Sequence, residues 1–152
     1  MVIKMKKIIS YILVILWMIV IFLLSHQTSD VSGGVSGSLL YDTLSFICGI
    51  FNVNASNLNN FIEIIHEPIR EIMHALEYLI LAILVYNALY QSGLNKNMLI
   101  ISILFCFIYS ITDEIHQIFV SGRTFQLLDL FMDAIGYILG TFLINIFISN
   151  KN

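Results

Sequence analysis

Four apolar runs, residues 8–24, 72–90, 98–120 and 127–148, take up more than half of a chain of 152 residues. Each is close to the about 20 residues that an α-helix needs to cross a bilayer at ~1.5 Å per residue. Four crossings are roughly the most that this length allows. Composition points the same way, with 59% hydrophobic and 11% charged residues against about 45–50% and about 25% in soluble domains. The chain is therefore expected to be an all-α integral membrane protein, one domain over residues 1–152, with four transmembrane helices. Large transporters are excluded unless it oligomerises. Seven Lys and Arg against ten Asp and Glu give a net charge of −3 with no polybasic arm, so nucleic acid is not an expected partner. The two cysteines form neither a disulfide framework nor a CxxC metal knuckle.

Lys4, Lys6 and Lys7 precede the first run, as in a signal peptide. The run exceeds the usual h-region of about 7–15 residues and no A-x-A site follows, so a retained anchor is expected. With these lysines on the cytoplasmic side, alternation puts Lys96 and Lys151 there too and leaves Arg70 and Arg123 outside. Both termini are then cytoplasmic. Residues 25–67 form the one long external connection, and its start is rich in Ser, Gly and Thr. Beyond that, Leu40, Leu44, Ile47 and Phe51, then Leu58, Phe61, Ile62, Ile65 and Ile69, recur at helical spacing and predict short amphipathic helices between the first and second spans. Pro68 fits the first turn of the second span, where its missing N–H costs nothing.

An ionisable side chain inside a span costs about 2.5–3.5 kcal/mol even on the lenient insertion scale. Spans two to four nevertheless contain His74, Glu77, Asp113, Glu114, His116, Asp129 and Asp133. Counted inward from the outer ends at ~1.5 Å per residue, His74 and Glu77 lie roughly 9–13 Å deep, Asp113 roughly 10 Å and Asp133 roughly 9 Å. Helical spacing groups Arg70, His74, Glu77 and Tyr78 on one face, and Tyr109, Asp113, His116 and Gln117 on another. Asp129, Asp133, Gly136, Tyr137 and Gly140 make a polar and small-residue stripe. A single water-accessible pocket between three helices, open to the outer leaflet, is expected. Five carboxylates against two arginines cannot stand at low dielectric as they are: some carboxyls are protonated, the histidines are charged, or a cation is bound. The structural alternative is that Asp113 with Arg123, or Glu77 with Arg70, pair only to fix helix packing. Gly136-x-x-x-Gly140 reads as a close helix contact without chemistry.

Residues 110–140, S-I-T-D-E-I-H-Q-I-F-V-S-G-R-T-F-Q-L-L-D-L-F-M-D-A-I-G-Y-I-L-G, closely resemble the signature of VanZ-like membrane proteins. That signature is D-E-x-x-Q, then a phenylalanine, an arginine and D-x-x-x-D-x-x-G-x-x-x-G. His74-x-x-x-Tyr78 and Phe22-Leu-Leu-Ser25-His-Gln27 extend the likeness over nearly the whole chain. By resemblance, Ser25, Gln27, His74, Glu77, Tyr78, Asp113, Glu114, Gln117, Arg123, Asp129, Asp133 and Gly136 occupy the family's motif positions. Glu71 departs from it, standing where the family often has a lysine, which leaves Arg70 alone there. The resemblance implies a bacterial plasma-membrane protein of the cell envelope; the family takes its name from a protein associated with low-level resistance to teicoplanin, a lipid-bearing glycopeptide antibiotic.

Two functional readings follow. In the first, the chain acts on an outer-leaflet amphiphile such as a lipid-linked envelope precursor. His74, Glu77, Asp113, Glu114, His116 and Asp133 are then the candidate catalytic residues. A divalent cation is a candidate cofactor, with His74, Glu77, Asp113 and His116 as its ligands. Ser25, Gln27, Arg70, Tyr78, Gln117, Arg123 and Asp129 are the candidate substrate contacts, Arg123 gripping a phosphate or carboxylate. In the second, the chain is a non-enzymatic envelope or assembly protein. Proton-coupled transport is a third reading, disfavoured by size.

Overall fold

The computed structural model describes residues 2–27, 43, 46, 58–94 and 96–150. Among the described residues its long helices are α1 (Val2–Ser25), α2 (Leu58–Gln91), α3 (Met98–Gln117) and α4 (Leu127–Ser149). Lys4–Ser25, Pro68–Gln91, Met98–Gln117 and Leu127–Ser149 are each long and apolar enough to cross a membrane. The described residues contain no strand.

On α3 and α4 the buried side is the polar and small-residue side. On α3 it is Ser102, Cys106, Ser110, Asp113, Glu114 and Gln117; on α4 it is Asp129, Asp133, Gly136, Tyr137, Gly140 and Thr141. Large apolar side chains such as Ile100, Leu104, Ile108, Phe131, Leu143 and Phe147 point outward. Lipid is as apolar as leucine, so burying leucine gains little in a bilayer. Small side chains that let backbones approach, and polar ones that bond across helices, hold such a bundle together.

Helix α2 lies at the centre, touching the other three, with its largest interface on α4. A Cβ placed on Gly136 or Gly140 would overlap the carbonyl of Ala75 or Leu79, so these two helices meet backbone to backbone. Lower in the same seam, Ser102 Oγ lies 3.3 Å from the Ala82 carbonyl and 3.4 Å from Thr141 Oγ1. Helix α1 is attached by hydrogen bonds to main-chain carbonyls: Trp17 Nε1 donates to Glu77 O at 2.9 Å, and Met18 O accepts from the Tyr109 hydroxyl at 2.7 Å. Trp17 is therefore an anchor for α1.

Two differences from the sequence reading have physical causes. Leu58–Gln91 is one helix with Pro68 inside it, so Pro68 opens the membrane-length stretch Pro68–Gln91 but does not start the helix. The apolar spacing of Leu58, Phe61, Ile62, Ile65 and Ile69 continues in phase through Ile72, Met73 and Leu76, and a spanning helix tolerates the one backbone bond that proline removes. The third helix ends at Gln117, after which residues 118–123 turn, with Gly122 at φ 77°. The amphipathic segment expected over 40–51 lies outside the described residues, apart from Thr43 and Phe46.

Helix α2 closes with a left-handed Gly93 at φ 78°, Gly93 N–H bonding to Tyr90 O and Leu94 N–H to Leu89 O. These bonds satisfy the last carbonyls and turn the chain into α3. The connectivity then brings the C-terminal ends of α1 and α3, the N-terminal end of α4 and the His74 turn of α2 to one end of the bundle. Lys4, Lys6, Lys7 and Lys96 lie at the other end.

Candidate functional site

At that end, four helices converge on a polar cluster built around His74, which is 7% exposed. Asp129 and Asp133 are one helical turn apart on α4, and each is 1% exposed. They flank the imidazole: His74 Nε2 is 3.9 Å from Asp129 Oδ2, and Nδ1 is 3.6 Å from Asp133 Oδ1. These are ion-pair distances, too long for hydrogen bonds. A neutral imidazole has one N–H and one lone pair, so it can donate to only one of the two carboxylates, whereas the doubly protonated ring can face both. The sequence places the two aspartates correctly because i and i+4 share one helix face.

Hydrogen bonds extend the cluster to the other helices. Ser110 Oγ donates to Asp133 Oδ2 at 2.7 Å, joining α3 to α4. Ser25 Oγ donates to Asp113 Oδ2 at 2.7 Å, joining α1 to α3, and Gln117 Nε2 reaches the same oxygen at 3.4 Å. Glu114 Oε2 accepts the backbone N–H of Gln126 at 3.1 Å, fixing the residue that precedes α4. Glu77 is half-buried, within the electrostatic reach of His74, Asp113, Asp133 and Arg123. The buried atoms with no hydrogen-bond partner among the described residues include the Tyr78 hydroxyl, Asp113 Oδ1 and Glu114 Oε1, besides His74 Nδ1, Asp129 Oδ1 and Asp133 Oδ1 at their ion-pair distances. A buried polar atom left unmatched costs about 1–3 kcal/mol. The Tyr78 hydroxyl is within the electrostatic reach of the carboxylates of Asp113, Asp133 and Glu77.

Two arginines border the cluster. Arg70 Nη2 is 3.6 Å from Asp129 Oδ1, 3.6 Å from Glu71 Oε1 and 3.2 Å from Gln126 Oε1. Arg123, in the turn between α3 and α4, is half-buried and donates Nε–H to the Gln27 carbonyl at 3.0 Å. Burial, then the nearby Arg70 guanidinium, hold Arg123 below the ordinary arginine value, while the carboxylates of Asp129, Asp113 and Glu77 act the other way.

The candidates therefore separate. His74, Asp129, Asp133, Arg70, Ser25, Asp113, Gln117, Glu114, Tyr78, Glu77 and Arg123 are gathered at one end. His116 is not with the carboxylates: Nε2 lies 3.2 Å from His26 Nδ1, and its ring packs on Phe22. Its ring lies against Phe22 and His26 at the end of α1. Gln27 contributes its main-chain carbonyl, and its side chain is exposed. The direct pair Asp113–Arg123 is not formed, each residue having the other partners just named. Among the described residues no group of three or more His, Cys, Asp or Glu could hold a metal ion. The set of His74, Glu77, Asp113 and His116 fails as a cation site because His116 faces elsewhere. The sequence reading missed Ser110 and Gln126; Ser110 lies three residues before Asp113 and so on its face, a small polar residue in an apolar run.

Four membrane-length helices closed around a buried histidine, carboxylates and arginines define a small multi-pass membrane protein whose polar cluster sits at one end of the bundle. The VanZ/LLP1 family model matches residues 10–148, and the chain belongs to that family. No curated protein and no solved structure matches it.

Proposed function

We propose that this protein binds, and acts on, the polar head of a bacterial cell-envelope amphiphile in the His74 cluster, in a way that contributes to tolerance of lipophilic glycopeptides such as teicoplanin. The observation that carries this reading is the set of buried oxygens without partners beside a histidine held between two aspartates. Hydroxyl or amine groups of a head group would donate to Tyr78, Asp113 and Glu114. His74 and Asp133 would move a proton between them during acid–base chemistry. The protein would sit in the bacterial plasma membrane with both termini cytoplasmic and the cluster toward the outer leaflet, consistent with lysines at the opposite end.

A second reading treats the protein as a non-enzymatic envelope or assembly component whose intramembrane charges only fix packing. It is favoured by the bonds Ser25–Asp113 and Ser110–Asp133, each joining two helices. Asp113→Asn and His74→Gln separate the two readings, because an amide keeps the shape and much of the hydrogen bonding but removes the proton chemistry. Under the first reading, glycopeptide tolerance or envelope-lipid composition changes while membrane abundance stays normal. Under the second, abundance and phenotype fall together, and restoring abundance restores the phenotype. Fully active, normally abundant variants would refute both.

A further inference from the structure

The amphiphile reading leaves open which part of a head group the protein grips, and the turn between α3 and α4 bears on that point. Arg123 commits only its Nε–H within the described residues, to the Gln27 carbonyl. That bond fixes the plane of the guanidinium at the C-terminal end of α1 and leaves both Nη groups uncommitted. Among the described residues no carboxylate lies within ion-pair distance of it, although Asp129, Asp113 and Glu77 are close enough to act on it electrostatically. Arg70 reaches the same connection from α2 through Gln126 Oε1 at 3.2 Å. Two guanidiniums are thus brought to one rim of the cluster, one by α2 and one by the α3–α4 turn, and their mutual repulsion acts on Arg123. An anion with several oxygens, accepting from the Arg123 Nη pair and lying beside Arg70, would remove that repulsion; arginine's planar fork suits phosphate better than a point charge does.

Resting on the amphiphile reading, we infer that Arg123, oriented by the Gln27 carbonyl and seconded by Arg70, is the binding site for a phosphate group, so that the amphiphile taken is a phospholipid or a lipid phosphate and not a phosphate-free glycolipid. The acyl chains would then lie along the apolar outer faces of the helices, and the remainder of the head would lie over Asp113 and Tyr78.

The test uses the full chain purified in detergent, with native mass spectrometry counting retained lipid. Phosphatidic acid is offered against diacylglycerol of the same acyl chains, and inorganic phosphate is added as competitor. The expected result is retention of phosphatidic acid over diacylglycerol, reduced about tenfold in Arg123→Gln. Arg123→Lys should recover only part of the preference, since an ammonium keeps the charge without the fork. Lys96→Gln, at the opposite end, should leave it unchanged. Competition by inorganic phosphate would identify the free anion as a sufficient ligand; retention without competition would assign the site to the lipid-borne group. Either outcome supports a phosphate site. Equal retention of the two lipids, or a preference that persists in both Arg123 variants while thermal unfolding shows them folded, overturns it. If that preference is absent while Asp113→Asn still loses the phenotype at normal abundance, the phosphate assignment falls and the amphiphile reading stands.

Discussion

Ser110 donates its hydroxyl hydrogen to Asp133 from a fully buried position, so removing it strands a carboxylate oxygen that water cannot reach. Ser110→Ala should lower stability by about 1–3 kcal/mol, read as a reduced Tm of the detergent-solubilised protein. Ser110→Thr, which keeps the hydroxyl, should recover part of it. Trp17→Phe is the matching case on α1. It keeps the aromatic bulk and loses the indole N–H that bonds the Glu77 carbonyl at 2.9 Å. Its expected cost is smaller, about 1 kcal/mol, because Glu77 O is a helical carbonyl with a second bonding opportunity. If Trp17→Phe proved as damaging as Ser110→Ala, the indole's packing, and not its hydrogen bond, would be the contribution to stability. His74 and its two aspartates behave differently from these pairs. Their distances of 3.6 and 3.9 Å leave room for the imidazole to shift toward either side, a property suited to a group that passes protons and of little use to one that only locks helices.

Between elements, the α2–α4 seam is the most sensitive contact. Gly136 and Gly140 face the backbone of Ala75 and Leu79, which cannot move aside as the end of a flexible side chain could. Gly136→Ala or Gly140→Ala must separate the two helices, with an expected cost of about 1–3 kcal/mol or more from overpacking. The same separation would draw Asp133 away from His74, so both stability and the site should suffer. Gly93→Ala is the control: nothing lies within 4 Å of a Cβ there, but φ is +78°. Its cost of roughly 1–2 kcal/mol is local backbone strain, and the site should be unaffected. Thermal unfolding of the three variants, with lipid retention as the second readout, checks the contrast. A Gly136→Ala protein as stable as the parent would mean that α4 does not pack on α2 as described.

For the molecule as a whole, the arrangement of charge predicts its orientation. Lys4, Lys6, Lys7 and Lys96 gather at the end formed by the start of α1 and the α2–α3 turn, whereas the acidic cluster and both arginines occupy the other. Reporter fusions at Asn152 should report the cytoplasm and fusions within residues 32–38 the outside. A cytoplasmic 32–38 connection would reverse the membrane orientation and move the cluster to the inner leaflet.

Sequence alone determined the number of membrane-length helices among the described residues, because apolar length is a requirement of the bilayer and can be counted without neighbours. It also determined which residues share a helix face, and so the nearness of Asp129 to Asp133 and the role of Gly136 and Gly140 as a contact stripe. The motif carried Ser25 into the candidate set, but only the bundle showed why: the end of α1 meets α3 at Asp113. Which residues meet across helices depends on the rotation of each helix about its axis, and no spacing within one helix records that. Hence His116, near the boundary of its face, turned toward His26; Arg123 bonded a main-chain carbonyl and not Asp113; and Trp17, Ser110 and Gln126 emerged as partners. Pro68 opens the membrane-length stretch, as its place in the sequence suggested, but it does not start the helix, since the apolar period runs back through it to Leu58. Local chemistry fixes what each segment is, whereas the packing of four helices against one another decides which buried groups have partners, and it is the unpartnered ones that make this cluster a candidate site.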